Sequence, residues 1–315
     1  MDANGIIGRE YEQKLILERC NSCKAELIAV YGRRRVGKTF LVRKMFNDQF
    51  AFSFIGMYEV SRAVQLEQFR MALTQYAKKS VPRLKTWFEA FAALREYLSG
   101  LSQQEPIVLF FDELPWMDTP KSNFIAAFSY FWNSWASMVP QLKLIVCGSS
   151  TTWMLANFIG DKGGLYGRVT RQIYLAPFSL GETEQFLNGL KGLALTRQQV
   201  LDVYMILGGI PYYLDMLERG VPLDVCIDRL FFSQDSPLRG EFDFLFRSLF
   251  NDSKHYRKIV EVLSEKMKGM TRKELMDELK LKGGGQLSEI LENLKKCDFI
   301  RKYATIGKSE RDALY

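Results

Sequence analysis

One histidine, His255, serves the whole 315-residue chain, and the five cysteines stand at positions 20, 23, 147, 226 and 297. A structural zinc site takes four nitrogen or sulfur ligands. Cys20-x-x-Cys23 invites a zinc or redox reading, but no second close cysteine pair and no second histidine complete such a site. Two reduced thiols at a helix end are the plainer expectation. No run of eighteen apolar residues occurs, so no membrane span is expected. The opening Met1-Asp2-Ala3-Asn4-Gly5 lacks the basic and apolar regions of a signal peptide, and a cytoplasmic location is expected by default. Internal repeats and low-complexity tracts are missing too.

What is present is ordinary in bulk. Apolar residues make up 47% and charged residues 25%, enough to bury a substantial core. The length suggests two domains, or three small ones. A net charge of +7 permits an acidic partner such as nucleotide or nucleic acid without demanding one. Part of that excess is a single run, Arg33-Arg34-Arg35.

That run lies inside Gly32-Arg33-Arg34-Arg35-Val36-Gly37-Lys38-Thr39, a complete G-x-x-x-x-G-K-[ST] sequence. An apolar β-type run, Glu26 to Tyr31, precedes it, and Phe40 to Phe46 reads as a helix. The chemistry needs that layout. Glycines let the backbone curl so that its N–H groups face a phosphate, and the helix N-terminus adds a favourable dipole. Lys38 would then reach the β- and γ-phosphates, and the Thr39 hydroxyl would ligate Mg²⁺.

Further along, Gly8 to about Ser22 reads as a helix, and Phe50 to Ile55 alternates like a strand. Two amphipathic helices fit 61–79 and 84–99. Pro106 to Asp112 and Leu142 to Gly148 are apolar runs of the kind that form buried parallel strands. A long aromatic helix through Phe124 and Trp135 separates them, and Arg171 to Leu175 reads as a fifth strand. Strands alternating with helices imply a parallel sheet covered on both faces. From Ser179 to Phe250 the pattern is helical, broken at Gly189–Gly192, Gly208-Gly209, Gly220 and Pro237. From Ser253 three helices lead to a short β-like tail, Phe299 to Ala304.

Three further groups are candidates for chemistry. Asp112-Glu113 ends the third strand; there an acid can hold Mg²⁺ and an adjacent glutamate can polarise the attacking water. The plainer alternative is a strand end entering a loop. Ser149-Ser150 ends the fourth strand at the sheet edge where ligands of open α/β sheets bind. Its hydroxyls would touch the γ-phosphate or the water, or simply cap the helix at Thr151–Phe158. Arg168 follows Gly167 and could neutralise transition-state charge on a γ-phosphate. Alternatively it is a surface arginine after the flexible Gly163-Gly164, with Arg171 an equally basic neighbour.

Taken together, Ile7-Gly8-Arg9-Glu10-Tyr11-Glu12, Gly32–Thr39, Phe111 to Trp116, Gly167-Arg168 and Gly208-Gly209-Ile210-Pro211-Tyr212-Tyr213-Leu214 resemble the archaeal-type prokaryotic ATPases of the STAND branch of AAA+-like P-loop ATPases. The motifs run in the same order over about residues 5–250. The resemblance implies an α/β P-loop core over 1–178 with a five-stranded parallel sheet, a helical lid over 179–250 and a winged-helix domain over 251–315. It places Ile7, Gly8 and Pro211 at the adenine, and Arg9 with Gly32 through Phe40 completes the expected binding set for ATP or ADP. No Asn-Lys-x-Asp guanine signature occurs, in keeping with adenine. Relatives often continue into a nuclease-like domain. This chain stops on the apolar Ala313-Leu314-Tyr315, which reads as a truncated ending, so no nuclease function is expected in these residues.

Between Asn251 and Tyr315, Lys and Arg outnumber Asp and Glu only 15 to 11. The third helix, about Gln286–Lys296, carries Glu289, Glu292 and Asn293, whereas a major-groove helix usually presents Arg, Lys, Asn or Gln. Sequence-specific DNA reading is therefore not expected; intramolecular or protein contacts fit better. The overall expectation is a slow Mg²⁺-dependent ATPase acting as a switch, with Glu113, Lys38, Arg168 and Ser149 catalytic and Thr39 and Asp112 on the metal. Self-association is open, with Arg168 acting in its own subunit or a neighbour's. The alternative is a nucleotide-gated DNA-binding or scaffold module with negligible turnover.

Overall fold

A computed structural model describes residues 5–102, 105–160, 165–250, 253–280, 284–304, 307 and 312–315. The chain divides into two compact units, Met1–Arg219 and Gly220–Tyr315. In the first, elements run α1 (Glu10–Cys20), β1 (Glu26–Tyr31), α2 (Lys38–Met45), β2 (Phe52–Ile55), α3 (Arg62–Ala77), α4 (Trp87–Ser99), β3 (Ile107–Asp112), α5 (Phe124–Ser134), β4 (Leu142–Gly148), α6 (Thr151–Trp153), β5 (Arg171–Tyr174), α7 (Leu180–Glu184), α8 (Arg197–Leu207) and α9 (Pro211–Leu214). Helices α6 and α7 each continue into a π-helical stretch, Met154–Ile159 and Gln185–Leu190.

The five strands form one parallel sheet in the order β2-β3-β4-β1-β5. Successive side chains of a strand face opposite sides, and both sides are buried here. Leu27, Ala29, Leu109, Phe111, Leu144 and Val146 join Phe69, Trp87, Phe91 and Phe128 of α3, α4 and α5. The alternate residues Ile28, Val30, Phe110, Ile145 and Cys147 pack with Leu15 and Ile16 of α1 and Leu41 and Val42 of α2. This double covering is why β1, β3 and β4 read as near-continuous apolar runs, whereas the flanking β2 and β5 are partly exposed.

Lys143 breaks that run, yet it is 1% exposed. Its ammonium donates to the carbonyls of Ser22 at 2.8 Å, Pro140 at 3.0 Å and Lys24. A buried cation is tolerable when its donors are used; here it ties the turn after α1 to the sheet's N-terminal edge. All five cysteines are free, and burial pushes the Cys20 thiol up to about 11. No group of three or more potential His, Cys, Asp or Glu ligands occurs among the described residues.

Helix starts follow local chemistry. Ser61, Thr86 and Thr196 cap α3, α4 and α8 through side-chain oxygens. Ser150 occupies the cap position of α6 without such a bond. The Gly163-Gly164 segment lies outside the described residues.

The second unit contains α10 (Leu223–Phe231), α11 (Glu241–Leu249), α12 (Ser253–Ser264), α13 (Arg272–Glu278) and α14 (Gly284–Lys296). Its core joins Phe246 and Phe250 to Ile259, Leu275, Leu287, Leu291 and Leu294. Instead of a strand over Phe299 to Ala304, Tyr303 alone among these residues pairs, bridging antiparallel to Leu314, which also bridges Thr271. Backbone N–H and carbonyl groups of Tyr303 and Leu314 are exchanged at 2.8 and 3.0 Å. The pairing partner lies eleven positions on, which a local reading of the tail could not supply.

Candidate functional site

The loop after β1 is shaped by two glycines. Gly32 has φ 147°, and a Cβ there would lie 2.3 Å from the Leu175 carbonyl oxygen. Gly37 caps α2 with φ 92°, a left-handed backbone that glycine adopts without steric cost. Lys38, the first residue of α2, is 5% exposed and donates to the Gly32 and Arg33 carbonyls at 2.9 and 2.8 Å. Burial pulls its pKa down, while the Glu113 carboxylate works the other way.

The strand order sets the remainder. Because β4 lies between β1 and β3, the residue after β4 comes between the loop and the two acids that end β3. The Thr39 hydroxyl donates to Asp112 Oδ2 at 2.7 Å, and the Glu113 N–H donates to Asp112 Oδ1 at 3.0 Å. Asp112 is 3% exposed; burial lifts its pKa above the ordinary carboxylate range, against the lowering effect of the Thr39 bond. Glu113 has φ 47° and ψ 48°, a strained conformation for a residue with a side chain. Its Oε2 accepts from both the backbone N–H of Ser149, at 3.1 Å, and the Ser149 hydroxyl, at 2.7 Å.

A cavity of about 500 Å³ opens over this cluster, within the usual range for small-molecule sites. Arg35, Val36, Gly37, Lys38, Thr39 and Glu113 line one end, and Ile6, Ile7, Phe178, Phe186, Leu190 and Pro211 the other. Arg9 borders the apolar end, 6% exposed, with its guanidinium 4.8 Å from the Phe178 ring centroid. Glu182 fixes this corner. It closes a capping box with Ser179 at the start of α7, and its Oε1 accepts from the Arg9 N–H at 3.3 Å. Burial opposes its charge, but the Ser179 hydrogen bonds and Arg9 leave its carboxyl below the usual range. A Cβ on Gly8 would lie 2.3 Å from Glu182 Oε1.

The residues singled out in the sequence fall into three groups. Ile7, Arg9, Arg35, Val36, Gly37, Lys38, Thr39, Phe40, Glu113 and Pro211 line the cavity. Gly8, Gly32, Arg33, Asp112 and Ser149 stand behind it, each packed on or bonded to a lining residue or its neighbouring loop. Arg34 and Arg168 do not line it. The Arg34 guanidinium lies 6.0 Å from the Trp116 ring, and Arg168 is exposed, its backbone N–H donating to Leu165. Sequence reasoning missed Phe178, Phe186 and Leu190, which carry no motif, and Tyr212, the neighbour of Pro211. It also missed Glu182, although Ser179-x-x-Glu182 is a legible capping-box signal.

A phosphate loop after β1 of a 2-3-4-1-5 parallel sheet, with an acid pair at the end of β3, defines a P-loop ATPase domain. Residues 6–217 match the family of ATPase domains found predominantly in Archaea, well over half of the chain, and the protein belongs to that family. Residues 6–217 are thus an ATPase domain of that family.

An uncharacterized protein of Methanocaldococcus jannaschii is 27% identical over 304 residues, 96% of this chain and 64% of the relative, so the chain spans under two-thirds of that protein's length. An uncharacterized ATP-binding protein of the same organism is 42% identical over 44 residues, 14% of this chain and 75% of its own. Among solved structures, a Walker-type ATPase of Pyrococcus abyssi superposes with a TM-score of 0.64 at 20% identity, covering 93% of this chain and 90% of the other. The ORC2 protein of Aeropyrum pernix, solved in ADPNP–ADP complexes, gives 0.59 at 13% identity, covering 95% and 88%. At these identities the likeness is one of fold. No helix among the described residues is long and apolar enough to cross a membrane.

Proposed function

We propose that the chain is a cytoplasmic Mg²⁺-dependent ATP hydrolase of the STAND type, working as a nucleotide-controlled switch. The observation that carries this reading is the convergence of Lys38, Thr39 and Glu113 on the cavity, with Asp112 bonded to Thr39 behind them. The donors suit Mg²⁺, which takes hard oxygen ligands. The Thr39 hydroxyl and Asp112 carboxylate lie 2.7 Å apart, and that buried carboxyl, with its raised pKa, would be stabilised in ionised form by a cation. When bound, the ion would neutralise charge on the triphosphate.

Lys38 would turn its ammonium from the Gly32 and Arg33 carbonyls to the β- and γ-phosphates. Glu113 would accept the proton of the attacking water, with Ser149 fixing the direction of its carboxylate. The apolar end, with Ile7 and Pro211, would take the adenine. In this reading the helices from 179 to 250 act as a lid and 251–315 as a winged helix; the three helices α12 to α14 followed by paired tail residues support the latter.

Arg168 is exposed and borders no part of the cavity, which favours its acting on a neighbouring subunit's γ-phosphate. Specific ATPase activity should then rise with protein concentration, because the site is completed only on association. Turnover that is independent of concentration and survives Arg168→Ala removes this residue from the mechanism.

Drosophila ORC bound to DNA shares the fold, with a TM-score of 0.51 at 13% identity over 97% of this chain and 84% of the other. For this chain the weak positive excess over 251–315 and the acids of α14 favour a mechanical role instead, reporting nucleotide state. Any DNA binding should come from phosphate contacts, ignore sequence and weaken steeply with salt. Anisotropy titrations with random and selected duplexes at two salt concentrations test this. A selected duplex bound far more tightly than random DNA contradicts it.

A further inference from the structure

Two consecutive arginines of the phosphate loop rest on aromatic rings from two different parts of the chain, and the second of them does so inside the cavity. Arg34 lies 6.0 Å from the Trp116 ring centroid, just after β3. Arg35 makes the closer contact, 4.1 Å from the Tyr212 ring and 5.5 Å from Tyr213. The two tyrosine rings stand 5.8 Å apart at 73°, so the guanidinium meets two successive rings of α9. The partners are 177 positions apart in sequence, and both Arg35 and Tyr212 line the cavity.

Their position gives the contact a consequence. Lys38, Thr39 and Glu113 mark the phosphate end and Phe178, Phe186 and Leu190 the apolar end. A stack between the loop and α9 bridges two walls of the cavity. The loop side is held in an uncommon conformation, Arg35 having φ 71°, where residues with a Cβ are rarely found. The α9 side is anchored independently. Ile210 and Leu214 are buried, and the Phe178 N–H donates to the Gly209 carbonyl at 2.7 Å. A Cβ on Gly209 would lie 2.3 Å from the Phe178 oxygen, so this crossing admits only glycine. Tyr212 itself is 46% exposed, so core packing does not account for its position over Arg35. Guanidinium–aromatic attraction strengthens as the pair is desolvated, which a nucleotide filling the space beside it would do.

We propose that Arg35 and Tyr212 form a clasp that closes over bound nucleotide and sets how slowly it leaves. This rests on the nucleotide reading of the cavity. The clasp residues are positioning residues: they act on release rather than on the phosphoryl transfer step.

The test is stopped-flow displacement of a fluorescent ADP or ATP analogue from the full chain and its variants. Tyr212→Ala should raise the dissociation rate constant about tenfold, equivalent to 1.4 kcal/mol, while the association rate constant stays within about twofold. Tyr212→Phe keeps the ring and should restore slow release. Arg35→Ala should speed release at least as much, since it also removes a charge beside the phosphates, and the double variant should be no faster than Arg35→Ala because both changes remove the same contact. Because Tyr212 is half exposed, its truncation should leave the fold intact; far-UV circular dichroism checks this, and Tyr212→Phe carries the argument if it does not. A Tyr212→Ala release rate within twofold of wild type, or a Tyr212→Phe release as fast as Tyr212→Ala, overturns the clasp. Wild-type protein that binds no analogue overturns the nucleotide reading itself, and the clasp with it.

Discussion

Lys38→Ala should lower ATP affinity by about a hundredfold while the fold survives. Hydrogen bonds from a charged group are worth about 1.5–3 kcal/mol each, and the ammonium is a buried cation at the end of the cavity proposed to take the phosphates. Its present acceptors, the Gly32 and Arg33 carbonyls, belong to a loop whose shape rests on Gly32 and Gly37 rather than on the lysine. Isothermal titration calorimetry with ATP, alongside thermal unfolding to check the fold, decides the matter. Unchanged affinity in a folded variant contradicts the phosphate-loop assignment.

Glu113→Gln should behave differently. The amide keeps the size of the side chain and can still accept from the Ser149 hydroxyl and N–H, so ATP should remain bound. It cannot take a proton, and turnover should fall by about two to four orders of magnitude, the usual contribution of a positioned general base. Loss of affinity in place of turnover would mean that Glu113 shapes the site rather than acting in it. The Ser149 contacts sharpen the expectation, since they hold Oε2 in a defined direction at 2.7 and 3.1 Å.

The middle of the sheet was legible in the sequence because burial on both faces writes itself as nearly continuous apolar strands in β1, β3 and β4. Val108, Phe110 and Ile145 face one helical layer while Leu109, Phe111 and Leu144 face the other. The phosphate loop was legible because its geometry demands glycine at fixed spacing. Side chains that matter through partners distant in sequence were less so. Tyr212 gains its significance only when α9 comes against the loop that holds Arg35, and Phe178, Phe186 and Leu190 only when the segment after β5 folds over the cavity. The π-helical turn Gln185–Leu190 brings two of these side chains to the site, and no local propensity marks it. Lys143 is the converse case: an unpromising charge in a buried strand, made tolerable by carbonyls more than a hundred residues away. The division at Arg219–Gly220 runs inside a stretch whose helical pattern is uniform, since compactness depends on which faces meet rather than on helix content.

Hydrolysis of ATP in this cavity by way of Glu113, as proposed, is open to a direct measurement. Phosphate release from a limiting amount of γ-labelled ATP, with Mg²⁺ and protein in excess, measures it directly when wild type and Glu113→Gln are run side by side. Wild type should release the label as inorganic phosphate, whereas on the variant ATP should stay bound and intact. Wild-type protein that binds ATP yet leaves it uncleaved, or a Glu113→Gln variant that releases phosphate at the wild-type rate, would contradict it.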